Sequence, residues 1–455
     1  MQFLDALRSR LPDLRVLDDP LDLEGYRRDE TPYLAAGTPI GVALPTTSAE
    51  VQGIVRLAAE QRVAIVPRGA GTGLSGGANA VDGGLVVSFT RMDRVLEIDP
   101  ANLAVTVQPG VINATLKAAV AEHGLFYPPD PASYETCTIG GNLGTNAGGL
   151  CCVKYGVTRD SVLGLEVVVA DGSLVRTGGK TVKDVAGYDL TRLFVGAQGT
   201  LGLITEATLR LRPAPPPKAT LLAFFDSLVA AGDSVSGLVA AGVQPCTLEL
   251  MDRFTIAAVD DWQHLGLDRE AAGMLLIESD LPGTAAGAEL DAAERVCREA
   301  GATNLVRSTD ATEADWLRQA RRMAFHALER LGEVRMEDVG VPRSRVTEMI
   351  EEIGRIAARH ELACGVFGHI GDGNLHPNFV VARGDETAAA RVGAASADLY
   401  RAAIALGGTV TAEHGIGASR RDFLEAQRGP EAVRVMRAIK NALDPLGIMN
   451  PGKVL

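Results

Sequence analysis

Apolar residues along the chain fall into two kinds of run. Short blocks rich in valine and isoleucine, bounded by glycine, proline or aspartate, read as buried strands. They include VAIVP at 63–67, GGLVVSF at 83–89, VLEIDP at 95–100, LAVTVQPG at 103–110, VLGLEVVVADG at 162–172 and LGLITEATLRLRP at 202–213. Longer stretches with helical spacing separate them. The opening MQFLDALRSRLPDL is a short amphipathic helix, and a further helix is expected over 112–123. Thr47-Ser48-Ala49-Glu50 has the form of a capping box that starts a helix running to about Glu60.

The proline-rich RPAPPPK at 212–218 is the strongest break. Beyond it, strands over 219–225, 246–250 and 273–279 alternate with helices near 227–240, 285–300 and 344–360, and a last helix covers 431–443. This order predicts an α+β chain, with an antiparallel sheet and helices in its second half. The expected division is a helical segment over 1–35, a first domain over 36–214 and a second over 215–455.

Composition narrows the function. A chain of 455 residues needs two or three domains. A net charge of -13 argues against a nucleic-acid partner. The six cysteines form no CxxC pair, which points to a reducing compartment. The N-terminal helix carries acidic residues, unlike a signal peptide. No apolar run reaches the roughly 20 residues that span a bilayer. A cytoplasmic location is expected, with any membrane contact peripheral at the inner face.

Three glycine-rich stretches carry the first candidate chemistry. Gly71-Thr72-Gly73-Leu74-Ser75-Gly76 fits G-x-G-x-x-G, but a strand follows it where a dinucleotide fold requires a helix. Gly179-Lys180-Thr181 has Leu174 where a P-loop needs glycine. A glycine loop can still present a concave row of backbone N–H groups to an anion. The second stretch, at 128–156, mixes glycine with Thr, Ser and Asn between apolar strands, as a buried planar ligand requires. The third is FVGAQGTLGLITEATLRL at 194–211.

PRGAGTGLSGG, TIGGNLGTNAGG with KYG, and GAQGTLGLITEATLRLRP together resemble the FAD domain of the vanillyl-alcohol oxidase/p-cresol methylhydroxylase family. The resemblance covers roughly 36–214 and implies a two-part FAD-binding domain. By position it implies FAD contacts from Pro67, Arg68, Gly69, Gly71, Thr72, Gly73, Ser75, Gly140, Gly141, Asn142, Thr145, Gly148, Gly149, Gly156, Gly202 and Ile204. Some relatives bind FAD covalently through a histidine in the first loop. No histidine precedes His123 here, so FAD is expected to be non-covalent.

GHIGDGNLH at 368–376 holds two of the seven histidines. Its flanks read as strands, and Asp372-Gly373 is a type I′ turn signal. In that register His369 lies opposite His376, close enough for both rings to meet one metal. A third segment, GGTVTAEHGIG at 407–417, offers Glu413 and His414 on a strand, where neighbours face opposite ways. Two histidines and a carboxylate suit a divalent cation such as zinc, manganese or iron.

GHIGDGNLHPNF, TAEHGIG and the closing NPGK resemble the FAD-linked C-terminal domain of glycolate oxidase flavin subunits, D-lactate dehydrogenases and D-2-hydroxyglutarate dehydrogenases. The resemblance implies metal ligation by His369, His376 and Glu413, with His414 as base. It also implies oxidation of a 2-hydroxy acid to a 2-oxo acid, with hydride passing to flavin N5. Arg321, just before an A-F pair, is the expected partner of the substrate carboxylate. Some relatives carry a lysine two residues before the Asp of EDVGVP, where this chain has Met336; that departure weighs against a dicarboxylate substrate. The electron acceptor is expected to be a quinone, a cytochrome, an electron-transfer flavoprotein or an iron–sulfur subunit. A homodimer or a hetero-complex is compatible with this reading. The alternative is a flavin-carrying electron-transfer subunit without turnover of its own. His123, His264, His326 and His360 read as structural.

Overall fold

Thr47 and Glu50 close the capping box on the helix Ser48–Gln61: Glu50 N–H donates to Thr47 Oγ1 at 3.2 Å, and the Glu50 carboxylate accepts from Thr47 N–H at 3.2 Å. That helix buries Val51, Ile54, Val55, Leu57 and Ala58, each worth up to about 1.5–3 kcal/mol for the larger side chains. It links two strands of a small sheet ordered Arg15–Leu17, Gly41–Leu44, Leu85–Ser88, Ile65–Arg68. The last three are parallel to one another, so a crossover helix is required. A second, antiparallel sheet runs Val95–Asp99, Ala104–Val107, Leu203–Arg210, Val162–Val168, Leu174–Gly178. These two sheets and their helices form two halves within the first part of the chain.

The structure is a computed structural model that describes residues 2–308, 310–385 and 387–455. It forms two compact units: Met1–Gly148 with Gly156–Ala214 and Glu413–Leu455, and Gly149–Tyr155 with Pro215–Ala412. Neither is continuous in sequence. The tail joins the first unit by adding to a sheet edge. Ile65 N–H donates to the Ile448 carbonyl at 2.7 Å, and Asn450 N–H donates to the Ile65 carbonyl at 2.8 Å.

The second unit is built on an antiparallel sheet ordered Ala302–Ser308, Ala219–Phe225, Gly273–Ser279, Thr247–Asp252, Ala363–Gly368, Asn374–Val381, Glu333–Met336. The short strand Val339–Gly340 pairs with the start of Asn374–Val381. Helices such as Leu228–Ala240, Thr284–Glu299 and Val346–Arg359 cover it. The architecture is α+β, as the alternation of runs predicts.

Two local expectations fail. The histidine hairpin does not turn at Asp372-Gly373 as type I′. A type I′ turn needs positive φ at both central residues, and of the two only Gly373 has it, at 76°. The chain instead winds through a 3-10 turn over Ile370–Asp372, and His376 pairs with Phe367 rather than His369. The segment holding Glu413 and His414 is not a strand either; apart from a bridge between Gly340 and Thr409 it is irregular. Strand alternation therefore does not govern how those two side chains point.

Candidate functional site

In the first unit, residues 69–78 leave the strand Ile65–Arg68 without regular structure. Among the described residues, the backbone N–H groups of residues 70–75 donate to no backbone carbonyl. Such a row is a ready anion cradle. Close packing fixes its shape. A Cβ on Gly71, at φ 86°, would run into the Arg68 guanidinium, and one on Gly69 into Thr138 Oγ1. Glu30 N–H donates to the Gly73 carbonyl at 3.0 Å, and Ala418 N–H to the Ser75 carbonyl at 2.8 Å. Ser75 Oγ donates to the His414 carbonyl at 3.0 Å. Thr72 lies within the same loop, and Pro67, next to last in the strand Ile65–Arg68, lies against Gly199.

Arg68 lays its guanidinium against Gly71 of the cradle loop. Its NH1 donates to the Arg28 carbonyl at 2.7 Å, and burial pulls its pKa down against the opposing charge of Asp29. Burial in turn pushes Asp29 up, with its hydrogen bond from Thr31 opposing. Lys453, in the closing NPGK, is also buried and held below its usual range, with Asp29 opposing.

The second glycine stretch contains the short helix Ile139–Thr145, started by Thr138, whose Oγ1 accepts from Gly141 N–H at 3.2 Å. Gly140 packs on Pro109. Asn142 is buried and directed inward, its Oδ1 accepting from Asn113 Nδ2 at 3.0 Å. Thr145 Oγ1 donates back to the Gly141 carbonyl at 3.3 Å. A Cβ on Gly148 would meet the Glu413 carboxylate, and one on Gly156, at φ 79°, would meet Asp160. Gly149 begins the short segment that belongs to the second unit. There Lys154 and Tyr155 both grip the Asp280 carboxylate, so these two residues of KYG anchor the segment within that unit. Gly202 packs on Val167, and Ile204 pairs with the same residue. A glycine-lined cradle with unassigned N–H donors fits the pyrophosphate of FAD.

Gln198 was not legible as a site residue. Its Nε2 donates to Ser75 Oγ at 3.3 Å, its Oε1 accepts from Gly417 N–H at 2.8 Å, and its carbonyl accepts from Asn450 Nδ2 at 2.7 Å. It thus ties together the cradle loop, the segment after His414 and the closing NPGK. Its φ of 51° is a left-handed conformation within a Gly-Ala-Gln-Gly run, which nothing in the sequence marks. Beside it, His414 Nε2 stands 3.7 Å from Glu413 Oε1.

In the second unit, the His369 and His376 rings meet edge to face with centroids 5.4 Å apart, despite the changed register. Both rings are buried. His369 Nδ1 is 2.7 Å from Glu249 Oε1, and His376 Nδ1 is 3.3 Å from the Glu337 carbonyl. A carboxylate and a carbonyl only accept, so each Nδ1 carries a proton, and in the neutral ring the lone pair is on Nε2. That donor set fits a divalent cation.

Asp338, fully buried, holds the surrounding backbone: it accepts from Asn374 Nδ2 at 2.8 Å, Thr411 Oγ1 at 2.6 Å and Ala412 N–H at 2.9 Å. Arg321 is 4% exposed, 2.8 Å from Glu249 Oε2 and 4.5 Å above the Phe367 ring. Arg318 is committed to Glu278 at 2.5 Å. His326 and His360 pair with Glu329 and Asp398 at 2.7 and 2.9 Å.

Comparison with known families matches residues 39–178 to an FAD binding domain and residues 214–454 to the C-terminal domain of FAD linked oxidases. The glycolate oxidase subunit GlcD of Bacillus subtilis is 46% identical over 430 residues, covering 94% of this chain and 91% of that protein. A D-2-hydroxyglutarate dehydrogenase of Xanthomonas citri is 37% identical over 461 residues, covering 99% and 96%. Among solved structures, p-cresol methylhydroxylase with substrate bound superposes with a TM-score of 0.83 at 18% identity, covering all of this chain and 96% of the other. This last likeness concerns the fold.

Proposed function

The chain belongs to the FAD-linked oxidases and is an FAD-dependent oxidoreductase; from that premise we propose that it oxidises a short 2-hydroxy acid, D-lactate or glycolate, to the 2-oxo acid. The observation that carries this reading is the buried His369–His376 pair, its ring centroids 5.4 Å apart and its Nδ1 atoms set against the Glu249 carboxylate and the Glu337 carbonyl. Bound FAD supplies a hydride acceptor, and a divalent metal, zinc or manganese, supplies a Lewis acid for the substrate hydroxyl.

In this proposal His369, His376 and Glu413 hold the metal. His414, as a neutral imidazole, takes the hydroxyl proton. Arg321 faces the substrate carboxylate with its planar fork. The cradle of residues 70–75 holds the pyrophosphate, with the other glycine-stretch residues named above around the rest of FAD. Met336 offers no cation to a second carboxylate, which favours a monocarboxylate. The similarity to a protein named as a subunit supports a hetero-complex that passes electrons to a quinone, cytochrome, electron-transfer flavoprotein or iron–sulfur partner. The proposed place of work is the cytoplasm or the inner membrane face; no described helix is long and apolar enough to cross a membrane.

The test is an anaerobic screen of glycolate, D-lactate, L-lactate and D-2-hydroxyglutarate against the flavin absorbance, with and without EDTA. Bleaching by a short D-hydroxy acid or glycolate, suppressed by chelator and restored by zinc or manganese, is the expected result. A flavin that stays oxidised with every acid overturns the proposal and favours an electron-transfer subunit without turnover of its own. Bleaching indifferent to chelator removes the metal from the mechanism.

A further inference from the structure

Glu249 stands in the middle of the strand Thr247–Asp252, all six of whose residues are buried. A carboxylate inside a sheet is strongly disfavoured unless its charge is matched. Here it is matched twice: Oε1 lies 2.7 Å from His369 Nδ1 and Oε2 lies 2.8 Å from an Arg321 amino nitrogen. The three side chains are 1%, 7% and 4% exposed for Glu249, His369 and Arg321. Arg321 is held from the other side by the Phe367 face at 4.5 Å, so its guanidinium plane has little freedom.

We propose that Glu249 is a positioning residue that sets two functional groups at once. It locks His369 in the Nδ1–H tautomer, so that Nε2 alone presents a lone pair, and it fixes the direction of the Arg321 fork. A carboxylate behind a ligating imidazole also raises the basicity of the nitrogen that faces the metal. The inference rests on the reading of His369 as a metal ligand, but the tautomer it assigns can be measured without any metal.

The experiment uses the FAD-loaded full chain, stripped of metal and labelled with ¹⁵N-histidine. Glu249→Gln removes one charge and leaves Arg321 buried without its counter-ion, which endangers folding. The double variant Glu249→Leu with Arg321→Leu removes both charges together. In the parent chain, two-bond ¹H–¹⁵N spectra above the imidazole titration range are expected to show His369 as Nδ1–H. The double variant is expected to lose that preference. Its affinity for added Zn²⁺, measured by competition with a chromophoric chelator, is expected to fall about 10- to 100-fold with flavin content unchanged. An Nε2–H tautomer in the parent, or zinc affinity in the variant within twofold of the parent, overturns the proposal. A parent chain that binds no zinc while showing the Nδ1–H tautomer would refute the metal reading and leave standing the claim that Glu249 sets the His369 tautomer.

Discussion

Gln198 Oε1 accepts the Gly417 backbone N–H at 2.8 Å, joining residues 219 positions apart. Gln198 Nε2 also reaches Ser75 in the cradle loop, so one amide holds two walls of the same unit. Replacing Gln198 by Leu removes both side-chain bonds and leaves the Gly417 N–H without its acceptor. A stability loss of about 1–3 kcal/mol is expected in urea unfolding. FAD affinity, read from the fluorescence of released flavin, is expected to weaken about tenfold. Unchanged flavin retention would show that the cradle does not depend on this tie.

Two glycines with similar backbone geometry predict opposite outcomes. Gly71 and Gly83 have φ of 86° and 70°. A Cβ meets Arg68 at Gly71 but nothing within 4 Å at Gly83. Both alanine variants pay roughly 1–2 kcal/mol of left-handed strain. Only Gly71→Ala distorts the cradle, so it alone is expected to purify depleted in FAD. Equal flavin content in the two variants would argue against a cofactor at this loop.

Asp338 accepts three hydrogen bonds in a site closed to water. Asp338→Ala strands those donors and is expected to cost about 3 kcal/mol or more. Asp338→Asn keeps the shape and is expected to recover part of it. Denaturant midpoints of the pair decide the point; two equally mild variants would mean that the bonds carry little stability.

His414→Ala tests the proposed base directly. Stopped-flow reduction of the flavin by the acid found in the screen is expected to fall by at least 10²-fold, within the usual contribution of a positioned base, with FAD still bound. Reduction at the parental rate would remove His414 from the proton transfer.

Asp252 gives a pH signature unrelated to the reaction. Burial pushes its carboxyl up to about 6 from 3.8, with hydrogen bonds from Thr255 opposing. Between those values the folded protein binds more protons than the unfolded chain. Stability therefore falls as pH rises from about 4 to about 6, by up to about 3 kcal/mol. Asp252→Ser keeps a capping oxygen for the helix Arg253–Gln263 and is expected to flatten this part of the urea-stability profile. Identical slopes for parent and variant would mean that Asp252 titrates near its ordinary value.

What could be read in advance follows the range of each interaction. The capping box of Thr47 and Glu50 involves neighbours in sequence and was legible. So were the strands around each glycine loop, where β-branched runs meet turn residues. The short helix Ile139–Thr145 was hidden because glycine is a poor helix former, although Thr138 was there as its cap. The hairpin register was misjudged because a five-residue turn and a two-residue turn share the Asp372-Gly373 signal. Gln198, Glu249 and Asp338 lay beyond reach for another reason. Each is a polar residue whose meaning depends on partners far along the chain, and no periodicity marks a buried hydrogen-bond acceptor.

The last stretch of chain supplies an edge to the strand Ile65–Arg68 and a backbone to the cradle loop. Translation proceeds from the other end. The first unit must therefore wait, with part of its sheet unpaired, until residues 215–412 have left the ribosome. The intervening second unit, made of Pro215–Ala412 with the earlier segment Gly149–Tyr155, has time to fold first. Truncation past Glu413 would then strike the oldest part of the nascent protein rather than its newest.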